Sequence, residues 1–233
     1  MSRADAEAGK KAGRRELGPI LALGGGAAAT LGFAWLAGAV GKGSTHALDT
    51  RLLLALRHPG DPGNPIGPAW VEETARDFTA LGSNGVLVFA VAAGCLFLIL
   101  ARKRAAALVL VLASGGGLAL VTGLKEVFER TRPDLVPHAA RVFTTSFPSS
   151  HATMSAVVYL TMGALLAGAH ADRRLKIFFA LLAVTLTLLV GASRVYLGVH
   201  WPTDVLAGWC VGAAWAVVFW TIAAWLQRRH GRG

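Results

Sequence analysis

Long apolar runs separated by short polar connectors dominate the hydrophobic pattern of this chain. A helix needs about 20 predominantly apolar residues to cross a bilayer. Six runs approach that length, at residues 18–40, 80–101, 105–124, 152–169, 177–197 and 202–226. The fourth run is short for a span, so we expect flanking residues to lengthen its helix. The pattern therefore predicts an all-α fold, a bundle of six transmembrane helices.

The composition agrees with a membrane protein. Of the 233 residues, 54% are hydrophobic and only 15% are charged, whereas a soluble domain carries about a quarter charged residues. The net charge of +10 would also suit a nucleic-acid-binding protein. However, Lys and Arg lie mostly in the connectors rather than along one polar face. We therefore expect no nucleic-acid partner.

Small residues inside the apolar runs indicate how the helices pack. Cys95 and Cys210 both lie within runs, where we expect packing residues rather than a disulfide or a metal site. Two glycine-rich stretches, 24–26 and 115–117, also lie within runs. They favour close approach of neighbouring helices, with helix bends as the alternative.

Basic residues cluster in four segments that fall on one side of a six-span bundle. The segments hold Lys10, Lys11, Arg14 and Arg15; Arg102, Lys103 and Arg104; Arg173, Arg174 and Lys176; and Arg228, Arg229 and Arg232. Because basic connectors stay in the cytoplasm, both termini are predicted to be cytoplasmic. The chain then divides into a basic tail at 1–17, a membrane domain at 18–226 and a second basic tail at 227–233.

The connectors 41–79, 125–151 and 198–201 are therefore predicted to face outward. The first is rich in proline, and its flanks at 47–57 and 69–78 suit short helices on the membrane surface. A plain linker without a functional part is the alternative for this connector.

The first apolar run has a second interpretation. Arg14 and Arg15 precede it, and Ala37-Gly38-Ala39 near its end resembles a signal-peptide cleavage site. The run is longer than the roughly 7–15 apolar residues of a signal peptide. A retained first span is therefore favoured.

Positive charges on the outward side need an explanation, because the topology rule disfavours them there. They are Lys125, Arg130, Arg132 and Arg141 after the third run and Arg194 near the outer end of the fifth. Polar residues concentrate in three segments, 125–133, 146–151 and 193–204. All three lie at the outer ends of spans three to six, so we expect them to converge in one layer.

That layer has the properties of an anion site. Lys125, Arg132 and Arg194 supply three cations, and the two arginines have forked donors that suit phosphate oxygens. Spans four and six both begin in this layer, which places two positive helix ends there. Ser149 or Ser150 is a candidate N-cap for span four. Phosphate is the expected occupant.

Two histidines, His151 and His200, add chemistry that anion binding alone does not need. Histidine acts as a nucleophile or as a proton donor near neutral pH. Asp204 follows His200 by four residues and is expected to orient its ring. We predict attack by His200 on phosphorus, with His151 donating a proton to the leaving oxygen. Each segment alone has an ordinary structural explanation, but their co-occurrence on one face favours function.

The three segments resemble the signature of the type 2 phosphatidic acid phosphatase family. Its first motif, a Lys followed after six residues by Arg-Pro, is matched by Lys125, Arg132 and Pro133. Its third is matched by Ser193, Arg194, His200 and Asp204. Its second, Pro-Ser-Gly-His, is matched except that Ser150 replaces Gly. Gly permits backbone conformations that other residues resist, but Ser is small and we expect activity to survive.

The resemblance implies specific roles for these positions. His200 is the nucleophile, Asp204 its orienting partner and His151 the general acid. The phosphate is held by Lys125, Arg132, Ser149 and Arg194, and by backbone N–H groups near Ser150 and His151. The family works without a metal or another cofactor, so none is expected here.

The resemblance also implies a membrane lipid as the partner and a multi-pass location in the cell's inner membrane, with the site on the extracytoplasmic (periplasmic) side. The expected reaction is hydrolysis of phosphatidic acid, phosphatidylglycerol phosphate or undecaprenyl pyrophosphate, and the motifs do not rank these lipids. One alternative is transfer of phosphate between lipids, including lipid A modification. Another is a phosphate-binding or transport protein without chemistry, although transport sites usually lie near the bilayer midplane. The pattern predicts no oligomeric state.

Overall fold

Helices make up most of this computed structural model, which describes residues 3–134 and 145–230. Side chains are described from residue 18 onward within those ranges, except at 228 and 230. The helices are α1 (Arg3–Gly41), α2 (His46–Leu54), α3 (Ala69–Ala80), α4 (Asn84–Leu100), α5 (Arg104–Val127), α6 (Ser150–Ser155), α7 (Thr161–Ala169), α8 (Arg173–Tyr196) and α9 (Pro202–His230). A π-helical turn, Ala156–Leu160, joins α6 to α7, and two short strands, β1 (Arg57–His58) and β2 (Asp61–Pro65), follow α2.

Five helical segments of the described chain are long and apolar enough to cross a membrane. They are Gly18–Gly41, Arg104–Val127, Ser150–Ala169, Arg173–Tyr196 and Pro202–Gln227. A sixth is obtained if α3 and α4, which bend by 54° at their junction, are counted as one broken span. The protein is thus a helical, multi-pass membrane protein.

The second predicted span begins later than the hydrophobic pattern indicated. Ala80, the predicted first residue, ends α3, and α4 begins only at Asn84. The break holds Gly82 and Ser83, and Ser83 has the extended backbone of an N-cap residue. The prediction of a continuous 80–101 helix was wrong because it weighed hydropathy above these turn-forming residues.

The fourth span is lengthened at its start, as expected, because its helix begins at Ser150 rather than at residue 152. Most of its residues are buried, so it forms the centre of the bundle. Helix α9 packs closely against it at Gly208 and Gly212. A Cβ atom added to Gly212 would lie 2.6 Å from the backbone oxygen of Thr153, so small residues permit this contact.

In the two glycine-rich stretches, Gly26, Gly116 and Gly117 support the close-packing interpretation, whereas an added Cβ on Gly24, Gly25 or Gly115 would have no atom within 4 Å. Within α1, a Cβ atom on Gly26 would lie 3.0 Å from Val217. Within α5, Gly116 and Gly117 approach Trp215 and Val157, each with a Cβ distance of 2.8 Å. The two cysteines are free and half-buried, in agreement with the packing role predicted for them.

The first outer connector is structured. Helices α2 and α3 lie at the two flanks where surface helices were predicted, which argues against the plain-linker alternative. The antiparallel hairpin of β1 and β2 departs from the all-α prediction. Pro59, Pro62 and Pro65 fall in or beside this hairpin, and proline is tolerated in edge strands and turns but not in helix interiors.

Candidate active site

The polar ends of four helices meet at one end of the bundle around a cavity of about 230 Å³. The cavity is lined by Gly82, Ser83, Asn84, Arg132, Ser150, His151, Arg194 and His200. Arg132, Ser150, His151, Arg194 and His200 among these were predicted site residues. The α3–α4 junction contributes the other three, which lie outside the predicted polar segments.

His200 lies in the wall of this cavity and is only 1% exposed. Its Nε2 atom is 3.0 Å from Nη1 of Arg132. Because a guanidinium only donates, Nε2 accepts this hydrogen bond and Nδ1 carries the ring proton. Nδ1 lies 3.4 Å from Oγ of Ser146 and 3.4 Å from Oδ2 of Asp204. The ring therefore keeps a lone pair at Nε2, beside Arg132.

The pKa of His200 agrees with this tautomer. Burial lowers the pKa to about 4, and Arg132 and Arg194 act in the same direction, whereas Asp204 raises it. A lowered pKa leaves the imidazole neutral at every pH above that value. His200 is thus an unprotonated potential nucleophile near neutral pH.

Asp204 is fully buried behind His200, near the start of α9. Its Oδ2 accepts hydrogen bonds from Oγ of Ser146 and from the backbone N–H of Trp201, the latter at 3.0 Å. Its Oδ1 accepts from Nη1 of Arg130 at 2.6 Å. The contact with His200 is the long one in this set, so the carboxylate is held mainly by other donors.

Arg130 connects Asp204 to a second buried carboxylate. Its Nη2 atom donates to Oδ2 of Asp49 at 2.6 Å. Asp49 lies in α2 and also accepts from the backbone N–H of Thr203 at 3.0 Å and from its Oγ1 at 2.7 Å. Arg130 was predicted as an unexpected outward charge without a partner. Thr203 lies in the predicted segment 193–204 but was given no role, and Asp49 lies outside the predicted segments.

The predicted phosphate-binding cations differ in position. Arg194 lines the cavity, donates from Nη1 to Oγ1 of Thr79 at 2.9 Å, and has a buried Nε without a partner among the described residues. Arg132 lines it too and donates to the carbonyl oxygen of Val199 at 2.8 Å. Lys125 is not among the lining residues, and its Nζ donates to the carbonyl oxygen of Thr145.

The two serines at the start of α6 also differ. Ser149 is the N-cap residue, but its Oγ makes no capping bond and has no partner among the described residues. It is fully buried and does not line the cavity. Ser150 and His151 do line it, so the positive end of the helix that begins here faces the cavity. Arg141, the remaining outward cation, lies outside the described residues.

A group of three or more His, Cys, Asp or Glu side chains placed to hold a metal ion is not found in residues 18–134 and 145–230. The arrangement at the cavity is instead a neutral imidazole, a second histidine, two arginines and a helix start. Such a set is suited to binding an anion and to attacking it.

We expect Arg130→Met to destabilise the protein strongly. Breaking a buried ion pair by removing one partner costs about 3–5 kcal/mol, because a charge stays buried without compensation. Here two carboxylates lose the guanidinium at once. The free energy of unfolding in detergent, measured with a denaturant, tests this. The matched control is Arg76→Met, which removes an exposed pair with Glu72 and should cost at most about 1 kcal/mol.

Comparison with known proteins identifies the class that this fold and site define. A sequence profile of the PAP2 superfamily matches residues 104–228. The chain belongs to this superfamily and is a phosphatase that spans the membrane. The matched segment includes every predicted site residue.

Among its relatives is phosphatidylglycerophosphatase B of Bacillus subtilis, 35% identical over 152 residues, which cover 63% of this chain and 72% of that protein. Decaprenylphosphoryl-5-phosphoribose phosphatase of Mycobacterium tuberculosis is 32% identical over 117 residues, covering 49% and 59%. The crystal structure of a transmembrane PAP2-type phosphatidylglycerolphosphate phosphatase from Bacillus subtilis superposes with a TM-score of 0.76 at 28% identity, covering 88% of this chain and 96% of that one. These relatives place the chain in the general class of lipid phosphatases.

Proposed function

We propose that this protein hydrolyses a phosphate monoester or pyrophosphate of a membrane lipid through a phosphohistidine on His200, without a metal ion. The observation that carries the proposal is the neutral His200 ring, whose Nε2 lone pair is held beside Arg132 in a cavity shared with His151 and Arg194. These groups supply a nucleophile, an acid and two cations at one place.

In the first step the phosphate binds between Arg132 and Arg194, near the start of α6. Nη1 of Arg132 exchanges its hydrogen bond to Nε2 of His200 for one to a phosphate oxygen, which frees the lone pair. The Nε2 lone pair then attacks phosphorus, and the bond from phosphorus to the lipid oxygen breaks. The leaving oxygen takes its electron pair and receives a proton from His151. The lipid leaves with a free hydroxyl group, or with one phosphate fewer if it was a pyrophosphate.

In the second step water attacks the phosphorus of the phosphohistidine and gives a proton to His151. The bond between phosphorus and Nε2 breaks, and its electron pair returns to the ring. Inorganic phosphate leaves and both histidines regain their starting states. Between the two steps the phosphorylated ring carries a positive charge, because Nδ1 keeps its proton, and Asp204 lies 3.4 Å from that atom.

The substrate class rests on position and on the relatives. The cavity lies at the ends of membrane-spanning helices, where the headgroup of a lipid meets water. By their names, the relatives given above are a phosphatidylglycerophosphatase and a decaprenylphosphoryl-5-phosphoribose phosphatase. Phosphatidic acid, phosphatidylglycerol phosphate and undecaprenyl pyrophosphate are therefore the lipids to compare.

The proposed orientation follows from the two ends of the bundle. Helix α5 begins at Arg104 in a basic segment and ends beside Lys125 near the site, and α8 runs likewise from Arg173 to Arg194. The basic segments thus lie opposite the cavity. The positive-inside rule then assigns the cavity to the extracytoplasmic side of the inner membrane, both basic tails to the cytoplasm, and α3–α4 as the sixth span.

Purified protein is expected to release inorganic phosphate from these lipids in excess chelator and to be inhibited by vanadate. Vanadate forms a five-coordinate species that resembles the transition state when bonded to Nε2 of His200. Phosphate release from each of the three lipids in detergent micelles is the measurement. Loss of activity on chelation would contradict the metal-free reaction. Binding of phosphate without release from any lipid would favour a transport protein, and labelled phosphate recovered in a second lipid would favour a phosphotransferase.

Thiol labelling in whole cells tests the orientation. In a Cys95→Ala, Cys210→Ala background, Asp61→Cys places a thiol on the exposed hairpin, and Arg102→Cys places one on the exposed connector at the opposite end. A membrane-impermeant maleimide is expected to label the first in intact cells and the second only after permeabilisation. The reverse pattern would place the site in the cytoplasm.

A further inference from the structure

Asp49 is a fully buried carboxylate that lies outside the three polar segments of the sequence. It belongs to α2, in the first outer connector, yet it contacts residues at the start of α9. A buried carboxylate is costly unless it is paired and hydrogen-bonded. Asp49 meets both conditions, through Arg130 and through the backbone N–H and hydroxyl group of Thr203.

The guanidinium of Arg130 forms ion pairs with two carboxylates. Nη2 contacts Asp49 and Nη1 contacts Asp204, each at 2.6 Å. Its side chain is only 13% exposed, and its Cζ atom lies 5.6 Å from the ring centre of Trp201. A chain of contacts thus runs from Asp49 through Arg130 and Asp204 to Nδ1 of His200.

The charges around His200 are mostly positive. Arg132 and Arg194 act on the ring directly, and His151 adds a charge when it is protonated. Lys125 and Arg130 act on Asp204, which is the opposing group. This excess suits the binding of phosphate. It also disfavours the positive charge that the His200 ring acquires when it is phosphorylated.

We infer that Asp49 is a positioning residue for this reaction, acting through Arg130 on Asp204 and so on His200. Without Asp49, the full charge of Arg130 would be directed at Asp204 and would compete with the His200 ring for that carboxylate. With Asp49 present, the guanidinium is neutralised from its other side, and Asp204 stabilises the phosphorylated ring more strongly. The inference rests on the proposed function.

The test is Asp49→Asn, which keeps the shape of the side chain and removes its charge. We expect kcat on the lipid phosphate to fall roughly tenfold and the acidic limb of the pH profile of kcat/KM to move down by roughly one pH unit. The sign follows because losing a negative charge near His200 makes its protonated form less stable and lowers its pKa further. KM is expected to stay within about twofold, since Arg132 and Arg194 are unchanged.

Glu73→Gln is the matched control, because it removes an exposed acid from α3 in the same outer connector. It should leave kcat and the acidic limb unchanged. A purely structural role for Asp49 would lower the thermal midpoint and the yield of active enzyme but would not move the limb. An unshifted acidic limb in Asp49→Asn would overturn the inference, whether or not kcat falls.

Arg130→Lys provides a second, independent variant. Lysine keeps the positive charge but lacks the fork that reaches both carboxylates. We expect it to shift the acidic limb in the same direction, and combining it with Asp49→Asn should then shift the limb little further. Fully additive shifts in the two single variants and the double variant would overturn the coupling. If Asp49→Asn fails to accumulate, the absence of a shift in Arg130→Lys alone overturns it. The proposed function fails separately, if wild-type protein releases no lipid phosphate or if His200→Ala remains active.

Discussion

Replacing His200 with alanine is expected to abolish phosphate release, with kcat falling by at least about 10⁴-fold, as removal of a catalytic nucleophile does in other enzymes. The variant loses the Nε2 lone pair that attacks phosphorus in the proposed reaction, and no other neutral nucleophile is assigned to this position. The remaining groups of the cavity still hold a phosphate. KM, or the affinity for inorganic phosphate, should therefore change far less than kcat.

Initial rates on the lipid substrates measure this effect, and His58→Ala is the matched control. His58 is an exposed histidine in β1, outside the cavity, so its replacement should leave the rate unchanged. Vanadate should inhibit the control variant as it inhibits the wild type. Full activity in His200→Ala would remove the nucleophile assignment.

The second large effect is expected in His151→Ala, where kcat on a lipid phosphate should fall about 10²–10⁴-fold. A lipid alkoxide is a poor leaving group and needs a proton, which in the proposed reaction comes from His151. A nitrophenolate leaves without that help. On p-nitrophenyl phosphate, the first step of the variant should therefore remain fast, while the second step, which needs His151 as a base, becomes slow.

Stopped-flow absorbance distinguishes these steps. His151→Ala is expected to release a burst of nitrophenolate close to one equivalent per enzyme and then turn over slowly. His200→Ala should show no burst. An equal loss of the first step on both substrates would contradict the acid role of His151 and would favour a role in holding the phosphate.

The sequence predicted the convergence of the polar segments because each one adjoins a helix end. Once the apolar runs are placed across a membrane, Arg132, His151, Arg194 and His200 must lie in one layer, whatever the packing of the helices. The four-residue spacing of His200 and Asp204 similarly brings them together where α9 begins. Membrane topology and the local spacing of residues were thus sufficient to predict that these side chains lie close together.

The parts that the sequence did not predict depend on contacts between distant segments. Asp49 and Thr203 are separated by 154 residues, and no periodicity connects them. Gly82 and Ser83 enter the cavity wall because α3 and α4 bend there, and hydropathy does not report such a bend. Lys125 and Ser149 matched their motifs, but neither side chain lines the cavity. Their exact positions depend on side-chain packing, which a motif does not report.

Trapping the covalent intermediate tests the central claim most directly. Wild-type protein mixed with a lipid carrying labelled phosphate is quenched in alkali, where phosphohistidine survives, and the label is located by peptide mass spectrometry. We expect the label on His200 of the wild type, its loss on acid treatment and its absence in His200→Ala. In His151→Ala the label should accumulate when labelled p-nitrophenyl phosphate replaces the lipid, because the first step then needs no proton donor. Steady turnover of wild-type protein with no labelled peptide, or with the label on another residue, would contradict the account.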